Sequence, residues 1–459
     1  MRAEARIHPA LLLVTMCTGS FLILLDVTIV NVALPSIRSG LGLGVDRLQW
    51  IVDGYAIPLA ALMLTCGTAG DRFGHRRIVL AGLATFGAAS AACGLAPDGT
   101  WLVAARVAQG LGAAMLLPGM LAIIGRAFAD RAEQARAIGI WAGIGSLALP
   151  AGPLLGGALI QWSGWRAVFL LNLPLVAVAL PATAILVREE GGEAGRRLDP
   201  AGAVAAALFL AALTLAFVEA GRRGPTAPQA VVAALAAAAL LGAFIAVERA
   251  VPAPMLPLPL LRRPAFTIAN AAAATMNLGT LGMLFVLTLY LQAVQGRSSL
   301  AAGLATLPLS LPLALIAPLA GRLIGGAGPK PLMVGGLAVA GAGMGSLAFT
   351  ATATPYPRLF PGLLAWGLGL ALLTPAVVAA AMRAMPPARS GLASAVNNTG
   401  RQAGGAIGVA AFGAVAGNPS SPAFLSGMHI GAIAAAALYA GMAVLVLACL
   451  RPAEASGAG

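Results

Sequence analysis

The loop between two long apolar runs near the amino end reads Gly67-Thr68-Ala69-Gly70-Asp71-Arg72-Phe73-Gly74-His75-Arg76-Arg77. Its glycines predict a turn, and its acid and bases predict a charged loop at a membrane surface. Asp71 can accept hydrogen bonds from the exposed amides of a facing helix amino terminus. Arg72 and Arg76 can bind carboxylates or lipid phosphates. The alternative interpretation is an ordinary basic turn between two spans.

The composition around this loop is typical of a membrane protein. Of 459 residues, 59% are hydrophobic and only 9% are charged, whereas about a quarter of the residues in a soluble protein are charged. Such a chain cannot cover its surface with polar groups, so its hydrophobic surface must face lipid. The excess of 28 Lys and Arg over 15 Asp and Glu lies in short clusters between apolar runs, which does not indicate a nucleic-acid-binding surface.

Fourteen apolar runs divide the chain, and one bilayer span needs about 20 apolar residues. The runs cover residues 9–33, 48–68, 78–96, 100–122, 136–160, 167–187, 200–219, 229–248, 265–291, 300–324, 331–351, 359–382, 391–416 and 429–450. Hydrocarbon offers the backbone no hydrogen-bond partner, so each run is predicted to be a helix. We therefore expect an all-α polytopic membrane protein with fourteen transmembrane helices.

The basic residues predict an orientation for these helices. With the amino end inside, nineteen of the 28 basic residues fall on the inner side and seven on the outer side. This bias satisfies the positive-inside rule. Both termini are therefore expected in the cytoplasm, and the protein is expected in the cytoplasmic or inner membrane.

A weak internal repeat predicts two related halves. Two glycines and a basic residue of the charged loop recur 254 residues later as Gly321, Gly328 and Lys330. Repeats of six spans are common in secondary transporters. The expected units are a six-helix bundle, two inserted helices and a second six-helix bundle, over residues 9–187, 200–248 and 265–450.

Several kinds of chemistry have no motif in the sequence. Lys330 is the only lysine, and it is flanked by prolines, so the chain has no Walker A loop for ATP. The three histidines form no HExxH motif, and no serine has glycine at both −2 and +2. We therefore predict no enzymatic activity, no metal and no cofactor, and expect any transport to draw on a gradient.

The charged loop has the form GxxxDRxGxR and resembles the signature loop of the major facilitator superfamily. The resemblance implies a latch favouring the outward-facing state, formed by Gly67, Asp71, Arg72, Gly74 and Arg76. LDVTIVNVALP at 25–35 is similar to a signature of the fourteen-span drug:proton antiporter family. Further similar stretches lie at 165–174, 290–296 and 397–405. The family implies the major-facilitator fold and proton-coupled export.

Arg106 lies in the middle of the fourth run, where a guanidinium costs between ~3 and ~17 kcal/mol and needs a partner or water. The segment from Arg106 to Ala114 resembles the RxxQG motif of the superfamily, in which the arginine is linked to proton transfer. Gln109 shares its helix face. The alternative is an arginine that joins two helices through backbone carbonyls.

Glycines and a proline mark the fifth run: Gly143, Gly152, Pro153, Gly156 and Gly157. They resemble the fifth-span motif of proton-driven exporters, which implies outward transport. Glycines a turn apart allow close backbone contact with a neighbouring helix. General packing of small residues is the alternative.

Asp26 is the predicted proton carrier, because desolvation disfavours its charged form and lets it take up and release a proton. A structural, hydrogen-bonded aspartate is the alternative. Asp53 in the second run is a further acid that could carry another proton or attract a cationic substrate. A solvated aspartate at the outer mouth of the protein explains Asp53 equally well.

Polar side chains inside spans must face a cavity or another helix. The candidates for the substrate cavity are Asn31, Gln109, Asn270, Asn277, Asn397, Asn398 and Arg401.

The predicted function is a proton-coupled exporter of small amphipathic organic compounds such as drugs, antibiotics or secondary metabolites. The expected partners are this small-molecule substrate, protons and membrane lipids, and a monomer is expected. An exporter of an endogenous metabolite, lipid or siderophore on the same scaffold is the alternative. A channel or a membrane scaffold is less consistent with a latch, a Gly-Pro helix and buried acids, which all imply a conformational cycle.

Overall fold

The computed structural model describes residues 9–128, 131–188, 199–385 and 390–450. Six of the basic residues behind the predicted orientation lie outside these ranges: Arg2, Arg6, Arg196, Arg197, Arg389 and Arg451.

Within the described residues all regular secondary structure is helical, and no β-strand occurs there. The α-helices are α1 Pro9–Leu41, α2 Val45–Phe73, α3 His75–Gly94, α4 Gly99–Ala127, α5 Arg131–Ser163, α6 Arg166–Leu170, α7 Asn172–Leu186, α8 Pro200–Arg223, α9 Pro228–Ala250, α10 Pro264–Leu289, α11 Ser299–Ala305, α12 Leu307–Ala327, α13 Pro329–Gly345, α14 Tyr356–Arg383, α15 Ser390–Ala416 and α16 Ala423–Cys449. Two short 3-10 helices cover Leu258–Arg262 and Ser346–Phe349, and a π-helical turn covers Tyr290–Val294. The all-α prediction is confirmed.

The described residues contain sixteen α-helices, whereas fourteen were predicted, because two of the runs are broken. The run 167–187 is divided at Leu171, and the run 300–324 is divided at Thr306. Each break lies two or three residues before a proline, Pro174 or Pro308. Proline has no amide hydrogen to donate to the carbonyl four residues earlier.

Eleven helical segments of the described residues are long and apolar enough to cross a membrane. Large apolar side chains cover much of the outer surface, and Ile185 and Leu315 are more than two-thirds exposed. Such a surface requires lipid around it, so the chain is a multi-pass membrane protein. The count of fourteen spans remains a prediction.

The helices of each half of the chain pack mainly among themselves. In the first half, α1 packs on α5 and α7, while α4 packs on α2 and α3. In the second half, α10 packs on α15 and α16, while α14 packs on α12 and α13. The halves meet where α2 packs on α15 and where α5 packs on α11 and α12. We call these contacts the seam.

The helices α8 and α9 form a hairpin beside the seam. They pack on each other, and α8 also packs on both α2 and α15. One helix of this hairpin therefore contacts both halves of the molecule.

Candidate transport site

An ion pair between Asp26 and Arg106 lies at the centre of the first half. The Nη1 atom of Arg106 on α4 donates to Oδ2 of Asp26 on α1. Asp26 is 0% exposed and Arg106 is 1% exposed. The sequence predicted that Arg106 needs a partner or water, and in the structure its partner is Asp26, another of the three candidates for proton coupling.

Close packing of α4 on α2 positions the guanidinium of Arg106. A Cβ atom on Gly110 would collide with the backbone of Tyr55, so only glycine allows this approach. The Nε atom of Arg106 then donates to Ile51 O at 3.0 Å. Its guanidinium carbon lies 4.3 Å from the centroid of the Tyr55 ring, within the range of a cation–π interaction.

Amide side chains complete the surroundings of Asp26. Gln109 Nε2 donates to Asp26 Oδ1 at 2.9 Å and to Ser90 Oγ at 2.9 Å. Asn172 Nδ2 donates to Asp26 Oδ1 at 3.3 Å and to Ser90 Oγ at 3.2 Å. Three donors therefore converge on one carboxyl group, an arrangement that satisfies an anion.

Sequence reasoning missed Ser90 and Asn172 as members of this network. Asn172 lies inside an apolar run, and a buried amide there was a signal that could have been used. Ser90 stands among alanines in α3 and gave no such signal, because a buried serine is common in membrane helices.

A small central cavity lies between the two halves beside this network. Its volume is about 20 Å³, which is room for about one water. The lining residues come from α1, α2, α4, α10 and α15: Val27, Val30, Asn31, Val52, Tyr55, Ala56, Leu59, Arg106, Leu281, Gln402, Gly405 and Val409. Arg106 thus contacts both the cavity and Asp26, while Asp26 is not part of the lining. An organic substrate needs this cavity to open.

Most of the predicted cavity residues lie elsewhere in this conformation. Asn31 lines the cavity, and Gln109 belongs to the Asp26 network. Asn397 Nδ2 donates to Asn270 Oδ1 at 3.3 Å, which joins α15 to α10. The remaining three predicted cavity residues are also absent from the lining: Asn277, Asn398 and Arg401. Gln402, the neighbour of Arg401, lines the cavity instead.

Asp53 is completely buried at 0% exposure, so the structure does not place it at a solvated outer mouth. Neither carboxyl oxygen has a hydrogen-bond partner in the part of the chain that the structure describes. Gln49, Asp53 and Ile57 follow one another at four-residue spacing and so share one face of α2. Gln49 Nε2 donates to Ala410 O of α15 at 3.1 Å, so this face lies against the seam.

The hairpin helix α8 covers the same region. Ile57 of α2, Leu210 of α8 and Ala406 of α15 belong to one buried apolar cluster. Thr214, one turn beyond Leu210, is 1% exposed, and its hydroxyl has no hydrogen-bond partner among the described residues. Two buried polar groups without partners, on Asp53 and Thr214, therefore lie on the α2 and α8 faces that meet at α15.

The predicted latch loop connects α2 to α3 at Gly74. This glycine has a φ of +98°, a conformation that other residues rarely adopt. Asp71 Oδ1 contacts His75 Nε2 at 3.0 Å, and Arg76 Nη2 donates to Ala184 O of α7 at 2.6 Å. Arg72 lies over the Phe73 ring. These contacts join α2, α3 and α7.

Gly67, also assigned to the latch, lies deeper in α2. A Cβ atom there would touch Pro118 of α4 at 3.4 Å. The role of the loop in switching conformation remains a prediction.

The glycines of α5 allow two close contacts. A Cβ atom on Gly152 or Gly156 would overlap α1 at Thr28 or Ile29. A Cβ atom on Gly157 would lie 2.5 Å from Leu300 Cα of α11, in the other half of the chain.

The other members of the α5 motif differ in their surroundings. Pro153 is buried, and its carbonyl lies against Gly303 of α11. A Cβ atom on Gly143, by contrast, would meet no atom of the described residues within 4 Å. Within this motif, Pro153 and Gly157 therefore form the contacts with α11 at the seam.

Comparison with known families agrees with this architecture. The sequence model of the Major Facilitator Superfamily matches residues 16–409. The chain belongs to this superfamily. Its members are membrane transporters and not enzymes, and the family prediction is confirmed. No group of three or more His, Cys, Asp or Glu that could hold a metal occurs among the described residues.

Relatives with resistance functions cover most of the chain. The multidrug resistance protein Stp of Mycobacterium tuberculosis is 38% identical over 397 residues, 86% of this chain and 74% of that protein. The methylenomycin A resistance protein of Streptomyces coelicolor is 34% identical over 405 residues, 87% of this chain and 84% of that protein. The lincomycin resistance protein of Streptomyces lincolnensis is 36% identical over 411 residues, 89% of this chain and 84% of that protein.

Solved transporters share the fold at low sequence identity. A crystal structure of the peptide transporter POT in complex with sulfate superimposes with a TM-score of 0.70 at 17% identity, over 95% of this chain and 94% of that one. The human organic anion transporter MFSD10 gives a TM-score of 0.64 at 15% identity, over 96% and 99%. At these identities the likeness concerns the fold alone.

Proposed function

We propose that this transporter exports small amphipathic organic compounds, such as antibiotics or other drugs, in exchange for protons. One observation carries the proposal: Arg106 contacts both Asp26 and the central cavity. A change of charge on Asp26 therefore changes the charge that the cavity wall presents to a substrate. The resistance functions of the relatives support export as the direction.

The first step of the exchange is proton uptake by Asp26. While Asp26 is ionised, the pair with Arg106 is neutral overall and the cavity can accept a cationic or neutral compound. A proton on Asp26 removes the negative charge, so the guanidinium on the cavity wall is no longer compensated. Two like charges ~5 Å apart repel by about 3 kcal/mol at an effective dielectric constant of about 20. This repulsion corresponds to a roughly hundredfold loss of affinity.

The cavity wall suits an amphipathic substrate. Aliphatic side chains from both halves form most of the lining, and Asn31, Arg106 and Gln402 provide the polar groups. An apolar wall with few polar groups binds a compound mainly through the apolar surface that it buries, and less through contacts that depend on the exact shape of the compound. Breadth of substrate range follows from this wall.

The proton gradient supplies the energy. Each proton that moves inward releases ~2.3 kcal/mol per 100 mV of membrane potential and ~1.4 kcal/mol per pH unit. Export against a gradient needs the seam to open on one side at a time. The contacts of Gly157 with α11 and of Gln49 with α15 lie at this seam, and the latch loop is proposed to bias it.

Asp53 is proposed as a second proton carrier. A buried carboxylate without a hydrogen-bond donor costs several kcal/mol, so Asp53 is neutral while the seam around it is closed. Opening of α2 from α15 would hydrate Asp53 and allow its proton to leave.

The proposed membrane arrangement has fourteen spans with both termini in the cytoplasm. The chain is proposed to work as a monomer, with bundles over 9–187 and 265–450 and an inserted hairpin over 200–248. Each bundle contributes to the cavity lining, so one chain supplies a complete site.

The test uses inside-out vesicles that contain the protein, in which export appears as accumulation of the drug inside the vesicle. Accumulation is measured for a panel of cationic and neutral antibiotics, with and without a proton gradient. Asp26→Asn should abolish gradient-driven export, because the amide cannot exchange a proton. Asp98→Asn is the matched control, since Asp98 is an exposed N-cap on α4 that accepts from Trp101 N, and asparagine also caps helices. Full gradient-driven export by Asp26→Asn would contradict the proposal.

A further inference from the structure

A second pair of acidic side chains lies at the end of the α8–α9 hairpin. Asp199 is the N-cap of α8, and its Oδ1 accepts from Gly202 N at 2.7 Å. Glu248 lies in the last turn of α9. Asp199 is 5% exposed and Glu248 is 4% exposed. Two carboxyl groups are therefore buried together where the hairpin begins and ends.

Both carboxyl groups face the bare Cα atom of Gly202. A Cβ atom at this position would lie 2.8 Å from Glu248 Oε1 and would also collide with Asp199 Oδ2. The glycine thus makes room for the two oxygens side by side. Two ionised carboxylates so close together in a buried site would repel each other.

No basic side chain in the described part of the chain neutralises this pair. Neither Asp199 nor Glu248 forms an ion pair with any residue that the structure describes. The described basic residues nearest in the sequence are exposed: Arg188, Arg249, Arg262 and Arg263. The other described contacts, from the segment after α9, are backbone amides without charge.

Backbone donors occupy three of the four carboxyl oxygens. Gly202 N donates to Asp199 Oδ1, Met255 N donates to Asp199 Oδ2 at 3.3 Å, and Leu256 N donates to Glu248 Oε2 at 2.9 Å. Glu248 Oε1 has no hydrogen-bond partner among the described residues and faces Asp199 Oδ2. A metal ion such as calcium requires six or more oxygen ligands, which this site does not offer. A single proton fits the remaining position.

We propose that Asp199 and Glu248 form a proton-binding site in which Glu248 Oε1 carries the proton and donates it in a hydrogen bond to Asp199 Oδ2. The protonated pair carries one negative charge, which the amides of Gly202, Met255 and Leu256 stabilise. Loss of the proton leaves two adjacent anions, and Glu248 then turns away and releases Leu256.

The segment that the pair holds contacts both sides of the seam. Met255 and Leu256 pack against a buried cluster that contains Leu64 of α2 and Val396 of α15. Thr65 Oγ1 of α2 also donates to Met255 Sδ at 3.8 Å. Protonation of the pair therefore holds this segment against the two helices that join the halves. Its consequence for transport rests on the proposed function, but the existence of the site does not.

The test is hydrogen–deuterium exchange of residues 251–257 in the purified protein in lipid nanodiscs, with rates corrected for the intrinsic effect of pH. In the wild type, protection should fall by about tenfold or more from acidic to alkaline pH, as expected for loss of hydrogen bonds to a buried charged group. Glu248→Gln should keep protection constant, because its amide donates to Asp199 at every pH. Unchanged protection in the wild type, or a wild-type pH profile in Glu248→Gln, would overturn the proposal.

Two further variants keep the test decisive. Glu219→Gln is the control, because Glu219 lies at the other end of α8 and pairs with exposed Arg223 at 3.2 Å; its pH profile should match the wild type. If Glu248→Gln does not fold, Asp199→Asn replaces it and is read at Leu256 N, which donates to Glu248. Its amide oxygen still caps α8 and its amide nitrogen donates to Glu248, whereas Met255 N loses its acceptor. A pH-dependent loss of protection in Asp199→Asn would contradict the shared proton. Exchange is measured without substrate or gradient, so a failure of the transport proposal would not alter this result.

Discussion

Asp26 and Asp53 are both fully buried acids on adjacent helices, yet their surroundings are opposite. Asp26 receives hydrogen bonds from Arg106, Gln109 and Asn172, whereas Asp53 has no hydrogen-bond partner among the described residues. The first site satisfies an anion, and the second suits a neutral acid. Burial alone therefore does not determine which acid carries a proton in a given conformation; the donors around it do.

The largest effect is expected from removal of the cation beside Asp26. Arg106→Ala leaves the carboxylate buried without its charged partner, and breaking a buried pair costs about 3–5 kcal/mol. We expect a large loss of thermal stability in detergent, together with loss of export.

The double variant Asp26→Asn/Arg106→Ala is the control for this effect. It removes the uncompensated anion, so it should be more stable than Arg106→Ala alone. Equal stability of the single and double variants would mean that Asp26 is not ionised beside Arg106, and the contrast between the two acids would be lost.

An intermediate effect is expected at the seam that isolates Asp53 from water. Gly157→Ala places a methyl group 2.5 Å from the backbone of Leu300, and overpacking of this kind costs about 1–3 kcal/mol. We expect lower thermal stability and faster reaction of Asp53 with a water-soluble carbodiimide.

Gly143→Ala is the matched control on the same helix, because its methyl group would meet none of the described atoms within 4 Å. It should leave both stability and Asp53 labelling close to the wild type. A similar response of the two variants would show that the seam does not protect Asp53.

The smallest effect on stability is expected from Asp53→Asn. An amide and a neutral carboxylic acid have nearly the same shape and polarity, so thermal stability should change by less than about 1 kcal/mol. The hydrophobic reagent dicyclohexylcarbodiimide reacts with protonated carboxyl groups, and peptide mass spectrometry should find it on Asp53 but not on Asp26. Strong stabilisation by Asp53→Asn, or equal labelling of both acids, would contradict a neutral Asp53.

Much of the fold could be predicted because lipid leaves the backbone few choices. The apolar runs predicted helices, but not which prolines would interrupt them: Pro58 lies within continuous α2, whereas breaks precede Pro174 and Pro308. The local sequence is apolar at all three positions. Packing against neighbouring helices decides the outcome, and a single sequence does not contain that information.

The charged members of the site were predictable, but its polar partners Ser90 and Asn172 and its contacts were not. An arginine in mid-membrane needs a partner, yet the choice of Asp26, 80 residues away, depends on the relative height of α1 and α4. The burial of Asp53 was left open for a similar reason, because α2 begins at Val45 and continues to Phe73, beyond both ends of its predicted run. The acid therefore lies two turns inside the helix.

The most direct measurement is proton release when a cationic antibiotic binds to the purified transporter, followed with a pH-sensitive dye in weak buffer. At a pH acidic enough that Asp26 carries a proton before binding, the account predicts that the wild type and Asp53→Asn release protons on binding, because the substrate favours the ionised Asp26 paired with Arg106. Asp26→Asn should bind without releasing protons. Equal release by Asp26→Asn and the wild type would show that substrate and proton do not compete through Asp26.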